Sequence, residues 1–215
     1  MQRLVLVLWA VLALTVSGTA AAQRGYQQLY VGGGAGPSKF SYDTGSLPIV
    51  NSPASTFSVN DDSDTAFKIY GGWRFNPYFA AEVGIVDYGK FSATRTVNPP
   101  GNGTARSDIT VTGIYVDAVG LAPIAGAVEL FGKAGFLAAG THATRSTTGS
   151  VSIAGANSSD DTASSTGLHV AAGVNFRITR SVWGRLEYER AYGIGDTKLG
   201  KGDVSAFTLG ASYRF

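Results

Sequence analysis

The sequence predicts an all-β fold: an eight-stranded antiparallel up-and-down transmembrane β-barrel. Three observations carry this. Period-two alternation of apolar and polar residues recurs in eight segments. The connections between them are alternately short and long. Charged residues share one strand face at mid-segment, opposite a face of aromatic and branched aliphatic residues.

The segments run approximately over residues 28–36, 66–75, 78–88, 108–121, 127–140, 166–178, 182–192 and 204–215. Most contain a run of about 9–11 residues, the length of a tilted strand crossing a bilayer. Only Asn76 and Pro77 separate the second from the third; "APIAG" separates the fourth from the fifth, and "TRS" the sixth from the seventh. The other connections, 38–65, 89–107, 141–165 and 193–203, are built from Ser, Thr, Asn, Asp and Gly and are expected to be long loops. Short turns at one rim and long loops at the other describe a barrel whose ends face different surroundings.

The faces decide between a soluble and a membrane barrel. In the sixth segment Leu168, Val170, Ala172, Val174, Phe176 and Ile178 oppose His169, Ala171, Gly173, Asn175 and Arg177. In the second, Phe67, Ile69, Trp73 and Phe75 oppose Lys68, Tyr70 and Arg74; in the seventh, Val182, Leu186 and Tyr188 oppose Arg185, Glu187 and Glu189. The interior of an eight-stranded barrel is just wide enough to be filled by side chains, so it lacks room for all the bulky apolar groups. The apolar face is therefore expected in lipid, with Trp73, Phe75, Phe79, Phe176, Tyr213 and Phe215 in its aromatic girdle. The polar face fills the lumen, and closure pairs every backbone donor and acceptor as lipid demands.

Residues 1–22 are set apart as a secretory signal peptide, with Arg3 before an apolar stretch from Leu4 to Val16 and the small-residue end Ala20-Ala21-Ala22. Residues 23–215 then form one barrel domain. No later run is apolar and long enough for a membrane helix. The balance of 17 Lys and Arg against 15 Asp and Glu offers no basic footprint for nucleic acid. The absence of cysteine excludes disulfides and thiolate chemistry.

The inward charges are the candidate site: Lys68, Arg74, Lys133, Arg177, Arg185 and Arg214 against Glu82, Asp117, Glu129, Glu187 and Glu189. Buried charges persist when paired, so the expectation is a nearly neutral network plugging the lumen; a gated proton or ion path is the competing reading. The "TRS" hairpin register places Asn175 opposite Arg185 and Gly173 opposite Glu187. "GGGAG" at 32–36 has no Lys-Ser/Thr and no following helix, so it reads as a strand packed against bulky lumen residues, not a phosphate loop. "NDDSD" at 60–64 lacks the glycine and distal glutamate of a calcium loop and reads as a solvated acidic loop tip. The two histidines, His142 and His169, have no serine and carboxylate in catalytic spacing; Ser146 is the nearest hydroxyl of interest to His142. No catalytic, cofactor-binding or metal-binding residue is assigned.

"AFKIYGGWRFNPYFAAEVGIVDYGK" (Ala66 to Lys90) resembles the second and third strands of the small OmpA-like outer-membrane β-barrels. "LYVGGGAG" and "FTLGASYRF" resemble that family's first and last strands. The resemblance implies residence in the outer membrane of a Gram-negative envelope, in contact with lipid and lipopolysaccharide, as a monomer with periplasmic termini. It implies that Phe215 is part of the signal read by the barrel-assembly machinery. The periplasmic peptidoglycan-binding domain of the full-length namesake has no counterpart here, so no cell-wall tether is carried over. The expected role is structural or surface-interactive, through the long loops: envelope integrity, adhesion, or host or phage contact. A narrow porin-like channel is the alternative, and a lipid-modifying enzyme ranks third.

Overall fold

The computed structural model describes residues 28–42, 55–97, 103–149, 160–196 and 200–215; residues 1–22, expected to be a signal peptide, lie outside these. Nine strands form: β1 (Gln28–Tyr42), β2 (Ser55–Asp61), β3 (Ser63–Arg74), β4 (Phe79–Val97), β5 (Gly103–Ala125), β6 (Val128–Gly149), β7 (Asp160–Arg177), β8 (Val182–Asp196) and β9 (Gly200–Arg214). β2 and β3 are one stave interrupted at Asp62, and both pair with β4. The result is a closed eight-staved antiparallel barrel in which each stave pairs with its sequence neighbours and β1 pairs with β9.

The chemistry of the turns explains why the short ones sit where they do. Asn76 Oδ1 accepts hydrogen bonds from the amides of Tyr78 and Phe79, an Asx turn that reverses the chain before Pro77 can interfere with a ladder. Thr179 Oγ1 accepts from the Val182 amide in the same way. The β5–β6 turn is tighter than "APIAG" implies. Strand pairing runs through Pro123 to Ala125 with a local irregularity, leaving Gly126 and Ala127 to turn. Closure reaches the chain end, where the Phe215 amide donates to the Leu29 carbonyl at 3.0 Å.

At the other rim the structure corrects the sequence reading. Much of each stretch expected to be a long loop is strand: β4 continues to Val97, β5 begins at Gly103 and β6 runs to Gly149. Threonine is β-branched and suits a pleated surface, and between β5 and β6 and between β6 and β7 the register set lower in the sheet continues. The "NDDSD" stretch is no loop tip either. It is the joint between β2 and β3, where Asp62 and Asp64 meet local partners. Asp64 accepts from the Thr65 and Lys90 amides. Asp62 pairs with Lys39 at 3.1 Å, and hydrogen bonds from Lys39 and Ser63 hold its carboxyl below the ordinary aspartate value.

Two glycines alter the alternation. Gly89 (φ 88°) and Gly193 (φ 70°) adopt left-handed backbone at irregularities of β4 and β8. An extra residue there shifts which parity faces inward. On β4 the inward series Glu82, Gly84, Val86, Tyr88 passes to Phe91; on β8 Glu187, Glu189, Ala191 passes to Ile194.

Candidate functional site: the charged lumen

Inward residues in the half of the barrel nearer the short turns form a buried ion cluster. Glu82 on β4 is its hub. Oε1 lies 2.8 Å from Lys133 Nζ and accepts from the Tyr115 hydroxyl at 3.1 Å. Oε2 accepts from Arg185 Nη1 at 2.7 Å and from the Tyr30 hydroxyl at 3.0 Å. Glu187 Oε1 lies 2.7 Å from Lys68 and 2.8 Å from Lys133; Glu189 Oε2 lies 2.7 Å from Lys68. Asp117 is held by His169 Nδ1 at 2.9 Å, with Lys133 at 3.5 Å. His169 Nε2 stands 3.7 Å from Glu189, so both ring nitrogens face carboxylates.

A second group sits closer to the short turns. Glu129 accepts from Arg74 at 2.8 Å, Arg214 at 3.0 Å and Asn175 at 3.0 Å. Asn175 Oδ1 in turn accepts from Arg185 Nε at 3.0 Å, joining the two groups. The β7–β8 register places Asn175 opposite Arg185 and Gly173 opposite Glu187. Arg177 stays outside this network, exposed at the rim next to the turn.

Of the lumen's aromatic residues, sequence reasoning placed only Tyr70. Arg185 is packed between the rings of Tyr70 and Phe131, at 4.4 and 4.6 Å, and Lys133 lies 4.5 Å over Tyr115. Arg214 lies 3.7 Å over Trp183. These cation–π contacts place aromatic bulk where the interior was expected to have no room. The signal was present, because Tyr70, Tyr115 and Phe131 share the parity of the charges on their strands. Inward glycines make the space: a side chain at Gly72 would meet the Tyr30 ring, and one at Gly32, inside "GGGAG", would meet the Tyr70 ring. Gly72→Val should destabilise the barrel by about 1–3 kcal/mol through overpacking. Gly71→Val, with open space on the outer face, should stay within about 0.5 kcal/mol. Urea titration of both proteins in lipid vesicles checks the pair.

The outer face is rich in aromatic residues. Trp73, Phe75, Phe79, Phe176, Tyr213 and Phe215 are all exposed, with Trp73 against Phe75 at 5.2 Å and Tyr213 against Phe215 at 5.1 Å. Ordinary soluble surfaces do not present so continuous an apolar belt. His142, on the outside of β6, lies 3.3 Å from Thr162, and Ser146 sits opposite Arg106 in the β5–β6 register. Among the described residues no group of three or more His, Cys, Asp or Glu is arranged to hold a metal ion.

The model of the outer membrane protein beta-barrel domain matches residues 9–215. The chain belongs to that family. As an outer membrane protein beta-barrel, it shares its fold with solved barrels of low sequence identity. The attachment invasion locus protein Ail of Yersinia pestis, solved with the heparin analogue sucrose octasulfate, is 19% identical with a TM-score of 0.52, over 88% of this chain and 99% of that one. Neisserial surface protein A is 18% identical with a TM-score of 0.54, over 87% and 97%. OprG of Pseudomonas aeruginosa is 16% identical with a TM-score of 0.50, over 89% and 97%. Among curated proteins none matches the sequence. Residence in the outer membrane follows from the family, and the exposed apolar belt of this barrel is its lipid-facing surface.

Proposed function

We propose that this outer-membrane β-barrel is a closed wall element that displays its long-loop rim for surface contact and conducts no ions. The observation that carries the reading is the filled lumen: Lys68, Glu82, Asp117, Glu129, Lys133, Arg185, Glu187 and Glu189 are all at most 4% exposed and are held in one network of ion pairs and hydrogen bonds. An ion path needs hydrated, exchangeable charges; here the charges neutralise one another and are wedged between rings. The role needs no bound cofactor and no reaction.

In this reading the short turns and both strand termini face the periplasm, and the long rim, reinforced by β2, β4, β5 and β6, faces outward. That arrangement fits the segregation of loop lengths in membrane barrels. Phe215, 72% exposed and held through its amide to Leu29, is free to be read by the assembly machinery. The surface partner is met by the polar rim, which is rich in Ser and Thr and suited to adhesion, host or phage contact.

Two measurements test the proposal together. The chain has no cysteine, so an introduced one is the only thiol. Cysteine replacing Ser146 should react with an impermeant maleimide on intact cells, while cysteine replacing Arg180 should not; the reverse would invert the orientation. The refolded wild-type barrel in a planar bilayer should show no steady conductance, and a stable open state would replace this reading with a narrow channel.

A further inference from the structure

The lumen changes character part-way along its length. Towards the long-loop rim, the buried charges stop and an apolar layer takes over. Phe40, Phe91, Val111, Leu137, Ile194 and Val204 are each at most 4% exposed and come from six different staves. The remaining two staves contribute small residues, Ala66 on β3 and Ala163 on β7, so the layer is drawn from the whole circumference. On every stave that carries a buried charge, the apolar residue lies on the long-loop side of it: Leu137 beyond Lys133, Val111 beyond Asp117, Ile194 beyond Glu189. Phe40 and Phe91 meet across the interior with ring centroids 5.4 Å apart.

The two layers oppose permeation differently. The charged half offers ligands to a passing ion or water. It also holds polar atoms without a protein hydrogen-bond partner, such as the Tyr70 hydroxyl and Glu189 Oε1, where water finds anchorage. The apolar half offers little beyond the buried hydroxyls of Thr141, opposite Val111, and of Ser38, already donated to the Tyr88 carbonyl, and an ion entering it loses hydration with almost no compensation. A constriction of this kind closes by excluding water.

We propose that the apolar layer is the barrier that decides ion permeation, and that the charged network below it, closely packed though it is, is dispensable for the seal. The proposal rests on the closed-barrel reading above. Planar-bilayer recordings on refolded protein test it, with heat-modifiable gel mobility certifying that each variant is folded. Wild type should be silent; if it conducts steadily, the closed-barrel reading itself fails. With wild type silent, removing the central ion pair of the network by Lys133→Met with Glu82→Gln should leave the barrel silent. Arg74→Met with Glu129→Gln serves should that pair not refold.

Opening the apolar layer by Phe91→Ala with Leu137→Ala should produce discrete conductance steps at least tenfold above the baseline noise. Val111→Thr with Val204→Thr keeps side-chain volume while adding hydroxyls, and should produce brief openings even if the alanine pair does not refold. Steps in the network variants, or silence in folded apolar-layer variants, would overturn the proposal.

Discussion

Lys133→Met should destabilise the barrel by about 3–5 kcal/mol, the cost of leaving buried carboxylates without their cation. Lys133 Nζ lies within 2.8 Å of both Glu82 and Glu187 and 3.5 Å from Asp117, with its side chain fully enclosed. Removing the ammonium leaves three carboxylates around a thioether, with Lys68 divided between Glu187 and Glu189 and Arg185 left to hold Glu82. Adding Glu82→Gln should recover most of the loss, because residues in one network couple strongly. Urea unfolding in lipid vesicles gives both numbers. A single-mutant loss below about 1 kcal/mol would mean that the cluster behaves like exposed ion pairs and that the lumen is wet throughout.

Val174→Arg should cost about 2–4 kcal/mol, the depth-dependent expense of a guanidinium at the bilayer midplane. Val174 points outward on β7 between Leu130 and Leu186, its cross-strand neighbours, near the middle of the apolar belt. Ala171, three residues away, points inward beside Lys133 and Glu189 in the register, so Ala171→Ser adds a hydroxyl among polar partners and should be mild. The same vesicle titration compares the two. Equal effects would mean that the faces of β7 are assigned the wrong way round.

The parity of side chains was legible in the sequence wherever strands cross the apolar belt, because period two is uninterrupted there. Lys68, Glu82, Asp117, Lys133, Arg185, Glu187 and Glu189 could be placed on one face from alternation alone. Their partners could not, beyond the one hairpin with a three-residue turn. The Arg185–Glu82 pair joins residues 103 apart in sequence, and which strands meet across a lumen depends on stagger around the closed barrel, which no local pattern encodes.

The upper apolar layer was hidden for a different reason. At Gly89 and Gly193 the inward parity changes, so Phe91 and Ile194 fall out of phase with the series below them. The intervening Ser, Thr and Ala residues carry too little contrast to restore it. Polar composition then reads as loop, although the same residues pair as strand.

The staves are not of equal height. From Asp87, where the apolar belt ends on β4, the strand rises to Val97, about 30 Å of extended chain, whereas β8 rises from Arg190 only to Asp196, about 20 Å. In the proposed orientation the mouth is slanted, like a pipe cut obliquely. Among the described residues, the ends of β4 and β5 stand higher on the proposed outer rim than the end of β8 and are met before it by an approaching cell or particle. Antibody or receptor pressure would therefore fall unevenly around the circumference, and sequence drift among close variants should concentrate on the ends of β4 and β5.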